Sequence, residues 1–195
     1  MNQKENYRHK GLRKKLIEEV RNKVIRSEEV LDAMGRVPRH LFMDSSFINF
    51  SYTDKAFPIA ASQTISQPYT VAFQTELLEV RRHLKVLEVG TGSGYQTAVL
   101  LELGARVYTI ERQRQLFLEA QKTLAPLNYK PIFFYGDGYE GVPTYAPFDR
   151  ILVTAAAKEI PQNLLDQMSI GGILVVPEGD QSGQKMIKIV RESKD

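Results

Sequence analysis

Three glycines alternate in the stretch EVGTGSGYQ, directly after the apolar run KVLEV. Glycine lets a backbone turn sharply and approach a ligand closely, and a helix that follows such a turn offers free amide donors. Glu111 lies 21 positions beyond Gly90, at the end of the next apolar run. In a doubly wound sheet, an acidic side chain at that place can accept hydrogen bonds from both hydroxyls of a ribose. These residues predict a site for a nucleoside, with a glycine turn needed only for packing as the alternative.

The spacing of the glycines separates the possible ligands. A dinucleotide fingerprint reads Gly-x-Gly-x-x-Gly, whereas Tyr95 stands here at the sixth position, and no Lys-Ser or Lys-Thr pair completes a P-loop. The pattern favours an adenosyl ligand without a pyrophosphate, so we expect S-adenosylmethionine as cofactor and S-adenosylhomocysteine as product. Asp137, in YGDGYEG, can accept a hydrogen bond from the adenine amino group. The residues assigned to the cofactor are Glu88, Gly90, Thr91, Gly92, Ser93, Gly94, Glu111, Arg112, Asp137 and Gly138.

A polar run, SQTISQP, precedes the glycine turn and ends at Pro68. Its Gln63, Thr64 and Ser66 can hold a substrate beside the cofactor. The alternative is that Ser66 is a helix cap or a turn residue ahead of Pro68, which fits the first turn of that helix. The two roles are compatible, because a loop joined rigidly to a helix holds a ligand more firmly.

The chain around these motifs has the alternation of apolar runs and helical segments that is typical of a parallel sheet. From Lys85 onward, helical segments separate most of six short apolar runs, which are KVLEV, RVYTIE, PIFFY, DRILVT, GILVVP and KMIKIV. Nearly continuous apolar strands separated by helices indicate a parallel sheet covered on both faces. Ahead of it, apolar residues recur at helical spacing at Leu12, Leu16, Val20 and Val24. The expected fold is α/β, a doubly wound, mostly parallel sheet with an N-terminal helical extension.

One domain is expected over residues 1–195. Residues 1–66 are expected to form the helical extension, in which Ser27 can cap a second helix, and the substrate-covering loop. Residues 67–195 are expected to form the cofactor-binding core. Folds of this type usually finish with one more strand than the six runs provide, so the last strand is a candidate for truncation. Asp149 stands at the start of the fourth run, away from the strand ends where ligands bind, and is expected to be structural.

The composition excludes several classes of protein. Hydrophobic residues make up 43% of the chain and charged residues 25%, as in an ordinary globular protein. No stretch approaches the roughly 18 apolar residues needed to cross a bilayer, and the N-terminus lacks the apolar core of a secretory signal. Because cysteine is absent, disulfides, thiolate metal sites and a cysteine nucleophile are excluded. We expect a cytoplasmic protein without membrane contact, and no metal, since no His, Asp and Glu cluster has ligand spacing.

The positive charge is concentrated near the N-terminus. Residues 1–39 contain eleven Lys and Arg against six Asp and Glu. Such a segment can touch nucleic acid or an acidic partner, but no aromatic or RNA-binding signature accompanies it. A solvated helix face without a nucleic-acid partner is therefore expected. A monomer is expected as well.

Taken together, the motifs resemble the protein-L-isoaspartate (D-aspartate) O-methyltransferases. The resemblance runs from VPRHLF at Val37 to VVPEG ending at Gly179, through QTISQPY, VLEVGTGSGYQTAVL, YTIER, GDGYEG, FDRILVTAAA and IGGILVVP. The glycine loop alone indicates only a methyltransferase, whereas TISQP ahead of it resembles this one family. The resemblance implies a class I, Rossmann-like, S-adenosylmethionine-dependent enzyme. It implies methylation of the free α-carboxylate of L-isoaspartyl residues in damaged proteins, which begins a repair through a succinimide.

The same resemblance implies roles for the loop. Ser66 falls on the position of the family's active-site serine and is the expected catalytic residue. A carboxylate with a pKa of about 3.9 is already ionised at neutral pH, so Ser66 is expected to orient an acceptor oxygen and not to act as a nucleophile. The residues assigned to the substrate are Gln63, Thr64, Ile65, Ser66, Gln67, Thr154, Ala155 and Ala156.

Two other functions use the same cofactor site. One is a methyltransferase acting on a small molecule or on RNA. Against base methylation, VTAAA occupies the place of the Asn/Asp-Pro-Pro-Tyr/Phe run typical of that chemistry. The other is cofactor binding without catalysis, against which the intact TISQP argues. The chain departs from the family at Ala61 and Ser62, where glycines are frequent, and this predicts a stiffer loop.

Overall fold

The computed structural model describes residues 5–155, 159–180 and 183–193 of the chain. In chain order its helices are α1 (Tyr7–Arg21), α2 (Glu28–Arg36), α3 (Pro68–Leu78), α4 (Tyr95–Glu102), α5 (Arg114–Leu124) and α6 (Gln162–Asp166). Its strands are β1 (Phe57–Pro58), β2 (Thr64–Ile65), β3 (Lys85–Val89), β4 (Arg106–Glu111), β5 (Ile132–Tyr135), β6 (Phe148–Val153), β7 (Met168–Asp180) and β8 (Gly183–Val190). No helix in these ranges is both long enough and apolar enough to cross a membrane.

The central sheet has the strand order β5-β4-β3-β6-β7-β8. The five strands from β3 to β7 pair in parallel, and β8 runs antiparallel to β7. The chain enters the sheet at its middle, moves outward to β5, and then crosses back to β6. This reversal leaves a crevice beyond the carboxyl ends of β3 and β6, where ligands bind in open α/β sheets. The doubly wound, mostly parallel sheet predicted from the apolar runs is confirmed, as is the helical extension ahead of it.

Apolar side chains cover both faces of the sheet. On one face Val86, Leu152 and Val175 pack with Leu78 of α3 and Leu100 of α4, and all five are fully buried. Because successive strand residues point to opposite faces, the intervening Leu87, Ile151 and Leu174 pack on the other face with Leu164 of α6. Burial on both faces explains why the strands read as nearly continuous apolar runs.

The N-terminal helices pack beside α3 and α4. Ser27 caps α2, since its hydroxyl accepts a hydrogen bond from the backbone N–H of Val30 at 3.3 Å, as predicted. The prediction for Val24 was wrong. Helix α1 ends at Arg21, and Val24 has a φ of 127° and is 70% exposed, because the chain turns there toward α2. Ile25 takes the buried position after that turn.

Asp149 joins the starts of two strands, as its position in the sequence predicted. Its Oδ2 accepts a hydrogen bond from the backbone N–H of Lys85 at 2.8 Å, which ties the beginning of β6 to the beginning of β3. This end of the sheet is opposite to the crevice, so the role of Asp149 is structural.

Candidate active site

A cavity of about 320 Å³ lies at the carboxyl ends of β3, β4 and β6. Its walls come from the glycine turn after β3, the residues after β4 and β5, the end of β6, and the segment around β2. The structure brings together most of the residues assigned from the sequence, namely Gln63, Thr64, Ile65, Ser66, Gly90, Thr91, Gly92, Ser93, Glu111, Arg112, Asp137, Gly138, Thr154 and Ala155. Ala156 lies outside the described residues.

Two positions of the turn require glycine, because each combines a positive φ with a close neighbour. Gly90 has a φ of +99°, and a Cβ there would lie 2.5 Å from Oγ1 of Thr154. That hydroxyl donates to the carbonyl of Gly90, with the oxygens 2.6 Å apart, and thereby ties β6 to the turn. Gly94 has a φ of +85° and begins α4, and a Cβ there would lie 3.0 Å from Leu124. Gly94 therefore supports the turn from behind and does not itself line the cavity.

Glu111 is fixed at the end of β4 by two backbone amides. Its Oε2 accepts a hydrogen bond from the N–H of Gly92 at 2.9 Å, and its Oε1 accepts one from the N–H of Gln113 at 2.8 Å. The residue is only 5% exposed but lines the cavity. Each carboxylate oxygen can accept more than one hydrogen bond, so both retain capacity for a ligand hydroxyl. The arrangement suits a ribose with two neighbouring hydroxyls.

Glu88 lies beneath the glycine turn and not in the cavity, which differs from its assignment as a cofactor contact. It is fully buried, and its Oε2 accepts hydrogen bonds from the hydroxyls of Thr97 at 2.5 Å and Thr109 at 2.7 Å. Since the single hydroxyl proton of Thr109 is used there, Thr91 donates to Thr109 across 2.6 Å. Burial raises the pKa of Glu88 to about 7. Glu88 therefore supports the turn through Thr109 and Thr91.

The segment before the cavity is a tight hairpin formed by β1 and β2. At its tip Ala61 and Ser62 have φ values of 54° and 55°, in the left-handed region that favours glycine. The backbone N–H of Ile59 donates to the carbonyl of Gln63 at 2.8 Å and closes the turn. These are the two positions at which the sequence departs from the glycines of the family it resembles. The turn keeps a glycine-type conformation with residues that adopt it at a cost of roughly 1 kcal/mol each.

Gln67 anchors the loop and does not line the cavity, contrary to its assignment as a substrate contact. Its Nε2 donates to the backbone carbonyl of Asp54 at 3.1 Å and to Oδ2 of Asp54 at 3.0 Å. Gln67 is also the N-cap residue of α3, with Pro68 in the first turn as predicted. The backbone N–H of Tyr69 is bound by Oδ1 of Asp54. Ser66 therefore does not cap α3, and the helix-cap alternative for its role is wrong.

Apolar and amide side chains complete the cavity, and these were missed in the sequence. Ile110 precedes Glu111, Leu116 follows on α5, and Tyr139 follows Gly138, so their nearness to assigned residues was the available signal. The remaining additional residues of the lining are Val71, Val89, Tyr95, Gln96, Gln113 and Val153. A mostly apolar cleft with a few convergent polar groups is typical of a cofactor site.

The residues present fit an adenosyl group. Ile110 and Leu116 offer apolar surface for a purine, and Glu111 offers acceptors for ribose hydroxyls. Among the described lining residues, Arg112 is the one cation, and it is exposed.

The comparisons with known proteins agree on one family. The family model described as protein-L-isoaspartate(D-aspartate) O-methyltransferase matches residues 11–195. The protein-L-isoaspartate O-methyltransferase of Christiangramia forsetii is 58% identical over 191 residues, which cover 97% of this chain and 89% of that protein. That of Cytophaga hutchinsonii is 56% identical over 187 residues, covering 96% and 85%. A beta-aspartate methyltransferase (PCMT) from Plasmodium falciparum, solved in complex with S-adenosyl-L-homocysteine, shares the fold with a TM-score of 0.81 at 24% identity, over 97% of this chain and 92% of that one.

Proposed function

The chain belongs to the protein-L-isoaspartate(D-aspartate) O-methyltransferase family, and we propose that it methylates the free α-carboxylate of L-isoaspartyl residues in damaged proteins and peptides. The ester closes to a succinimide when the backbone nitrogen of the following residue displaces methanol, and hydrolysis of the succinimide returns part of the damaged residue to normal aspartate. S-adenosylmethionine is the cofactor, and S-adenosylhomocysteine is the product. The observation that carries the proposal is that Ser66 and its loop share one cavity with the glycine turn and Glu111.

The cofactor half of the cavity is built for binding and orientation. When bound, S-adenosylmethionine supplies an electrophilic methyl group on a positively charged sulfur. Glu111 would accept hydrogen bonds from the ribose hydroxyls, and Ile110 and Leu116 would offer apolar surface to the adenine. Asp137 uses Oδ1 to accept a hydrogen bond from the backbone N–H of Tyr139, which leaves its other oxygen for the adenine amino group. The glycine turn lets the backbone approach the ligand without side chains in between.

The acceptor half needs no general base, because the substrate carboxylate is already ionised at neutral pH. The hydroxyl of Ser66 donates a hydrogen bond to one carboxylate oxygen and leaves the other free to attack. Thr64, Ile65, Thr154 and Ala155 shape the space around it, and the loop excludes water from the reacting atoms. No histidine is found among the described residues of the lining, which supports an orienting role for Ser66 over a nucleophilic one.

We propose that the basic N-terminal segment is a solvated face and not a nucleic-acid site. Four of its cations form ion pairs within the described part of the chain: Arg13 with Glu5, Arg21 with Glu18 and Glu28, Lys23 with Glu19 and Asp54, and Arg36 with Glu102. We also propose a monomer as the working unit. We further propose that it acts in the cytoplasm, where damaged proteins would be its substrates.

The test is labelling with S-adenosylmethionine that carries a radioactive methyl group. An isoaspartyl peptide and its normal aspartyl twin are offered under the same conditions. Base-labile label is expected on the isoaspartyl peptide alone, because only that acceptor presents a free α-carboxylate, whereas normal aspartate presents its β-carboxylate. Equal labelling of both peptides, or of neither, would remove the repair function.

A further inference from the structure

Arg39 is a buried cation directly behind the substrate loop. It begins a short 3-10 helix (Arg39–Phe42) after α2, and it is 0% exposed. Its Nη2 donates a hydrogen bond to the backbone carbonyl of Ser66 at 2.8 Å. The guanidinium carbon lies 4.6 Å from the centroid of the Tyr95 ring, and Tyr95 lines the cavity. Arg39 therefore contacts the two elements that face each other across the acceptor end, the substrate loop and the start of α4.

The charge of Arg39 has no dedicated counter-ion in the described part of the chain. No carboxylate there lies within ion-pair distance of it, and its Nε and Nη1 have no hydrogen-bond partner. Asp54 is the carboxylate that acts on it from farther away, but Asp54 is itself held by Lys23, Gln67 and Tyr69. Burial lowers the pKa of Arg39, although a guanidinium remains protonated at physiological pH.

A purely structural link to the Ser66 carbonyl would not require a charge. An uncharged donor such as a glutamine amide can make the same hydrogen bond, whereas a buried and unpaired cation is costly to desolvate. The cavity also contains the carboxylates of Glu111 and Asp137, which repel an incoming anion. A fixed positive charge in the low-dielectric interior offsets that repulsion more effectively than the exposed Arg112 does, because water screens exposed charges.

We propose that Arg39 is a positioning residue that also makes the acceptor site selective for an anion. It holds the peptide unit of Ser66 and places an uncompensated positive charge behind it, so that the site binds a carboxylate in preference to a neutral group of the same shape. This inference rests on the proposed function, because it presupposes an isoaspartyl carboxylate as acceptor. Beyond the proposed function, it assigns to Arg39 the discrimination between a carboxylate and a neutral group of the same shape.

The test compares two peptides that differ only in charge. One is an isoaspartyl peptide with its free α-carboxylate, and the other carries an α-carboxamide at the same position. Their affinities are measured with S-adenosylhomocysteine bound, so that no turnover occurs. The variants are Arg39→Gln, which keeps a donor but removes the charge, and Arg39→Lys, which keeps the charge. Arg36→Gln, the same change at an exposed arginine of α2, is the matched control.

The wild-type protein is expected to prefer the carboxylate peptide by about tenfold or more, since close charge complementarity is worth that much in buried sites. Arg39→Gln should reduce the preference to about twofold or less by weakening the carboxylate peptide alone. Arg39→Lys should retain part of it, because an ammonium group can carry the charge but lacks the planar guanidinium that lies over Tyr95. Arg36→Gln should match the wild type. Equal weakening of both peptides in Arg39→Gln would show mere structural support and overturn the proposal, as would an unchanged preference.

Two other outcomes have separate interpretations. If Arg39→Gln fails to fold, the wild-type protein and the Arg39→Lys variant still test the proposal. A wild-type protein that binds both peptides equally would overturn it, because there would then be no selectivity to explain. Failure of the proposed function looks different, since the wild-type protein would then not methylate the isoaspartyl peptide at all. If the wild-type protein methylates the isoaspartyl peptide normally but Arg39→Gln leaves the preference for the carboxylate peptide intact, only the role of Arg39 is overturned and the proposed function stands.

Discussion

The carboxylate of Asp54 accepts a hydrogen bond from the backbone N–H of Tyr69 at 2.7 Å. The same side chain binds Nε2 of Gln67 at 3.0 Å and pairs with Lys23 of the N-terminal segment. Asp54 therefore closes the first turn of α3 and fixes the end of the loop that carries Ser66. The helical extension, the loop and the core are joined at this one buried carboxylate.

Removal of that carboxylate should loosen the loop. We expect Asp54→Ala to lower the free energy of unfolding by about 1–3 kcal/mol, as for other lost hydrogen bonds to a charged group. It should also raise KM for an isoaspartyl peptide, because the loop is no longer anchored. Denaturant unfolding and steady-state kinetics measure both effects. Asp32→Ala, at an exposed position of α2, is the control, and equal behaviour of the two variants would contradict the role of Asp54.

The contribution of Asp54 should also depend on pH. Burial raises its pKa, but the contacts with Lys23, Tyr69 and Gln67 outweigh that effect and leave the pKa below its ordinary value. The folded state therefore binds this proton less tightly than the unfolded state. Its stabilisation should be present above the ordinary pKa and should be lost as the pH falls through the lowered one. A stability difference between the wild type and Asp54→Ala that stays constant down to the acid limit of folding would contradict this assignment.

The hydroxyl of Ser66 should matter for turnover and not for cofactor binding. Ser66→Ala is expected to lower kcat by roughly tenfold to a hundredfold, because a misplaced acceptor reacts slowly. Affinity for S-adenosylhomocysteine, measured by calorimetry, should stay within about twofold of the wild type. Ser62→Ala makes the same chemical change in the same loop, at an exposed residue outside the cavity lining, and should leave kcat unchanged. Full activity in Ser66→Ala would remove the orienting role.

Glu111 should act in the opposite way. We expect Glu111→Ala to weaken cofactor binding by about 1.5–3 kcal/mol, since hydrogen bonds to a charged acceptor are lost. The loss should be visible in calorimetry with S-adenosylhomocysteine. Glu119→Ala, at an exposed carboxylate on α5, serves as the control. Intact cofactor affinity in the Glu111 variant would refute its role as the ribose acceptor.

The buried Glu88 gives a signature in stability against pH. Its folded-state pKa is raised to about 7 from an ordinary value of 4.5, because burial disfavours the charged form. The folded state then binds this proton more tightly than the unfolded state. The contribution of Glu88 to stability is fully present below about pH 4.5 and is lost as the pH rises toward 7, by about 3 kcal/mol at most.

Glu88→Gln should remove this pH dependence. The amide oxygen can still accept the hydrogen bonds from Thr97 and Thr109, and no charge forms at high pH. The variant should therefore gain stability relative to the wild type between pH 5 and pH 8, measured by denaturant unfolding at each pH. Other titrating groups, such as the buried His40, are common to both proteins and cancel in the difference. Parallel curves for the two proteins would contradict the raised pKa.

The sheet and the glycine turn were predictable because their signals are local. Each apolar run became a strand, and Gly90 sits where a positive φ and a close neighbour both require glycine. Glu88 and Gln67 were misplaced because their partners are distant in the sequence. Gln67 turns toward Asp54, thirteen positions away, and Glu88 toward Thr109, which is twenty-one positions away. Periodicity could not show that α1 ends before Val24, since the pattern records spacing and not the point where the chain turns.

The mechanism requires that Ser66 holds an acceptor carboxylate that is already ionised. A crystal structure with S-adenosylhomocysteine and an isoaspartyl peptide bound together tests this requirement most directly. We expect one oxygen of the α-carboxylate within about 3 Å of Oγ of Ser66, at hydrogen-bond distance, and the other oxygen facing the cofactor sulfur. A serine hydroxyl turned away from the acceptor, or a carboxylate bound elsewhere in the cavity, would contradict the mechanism.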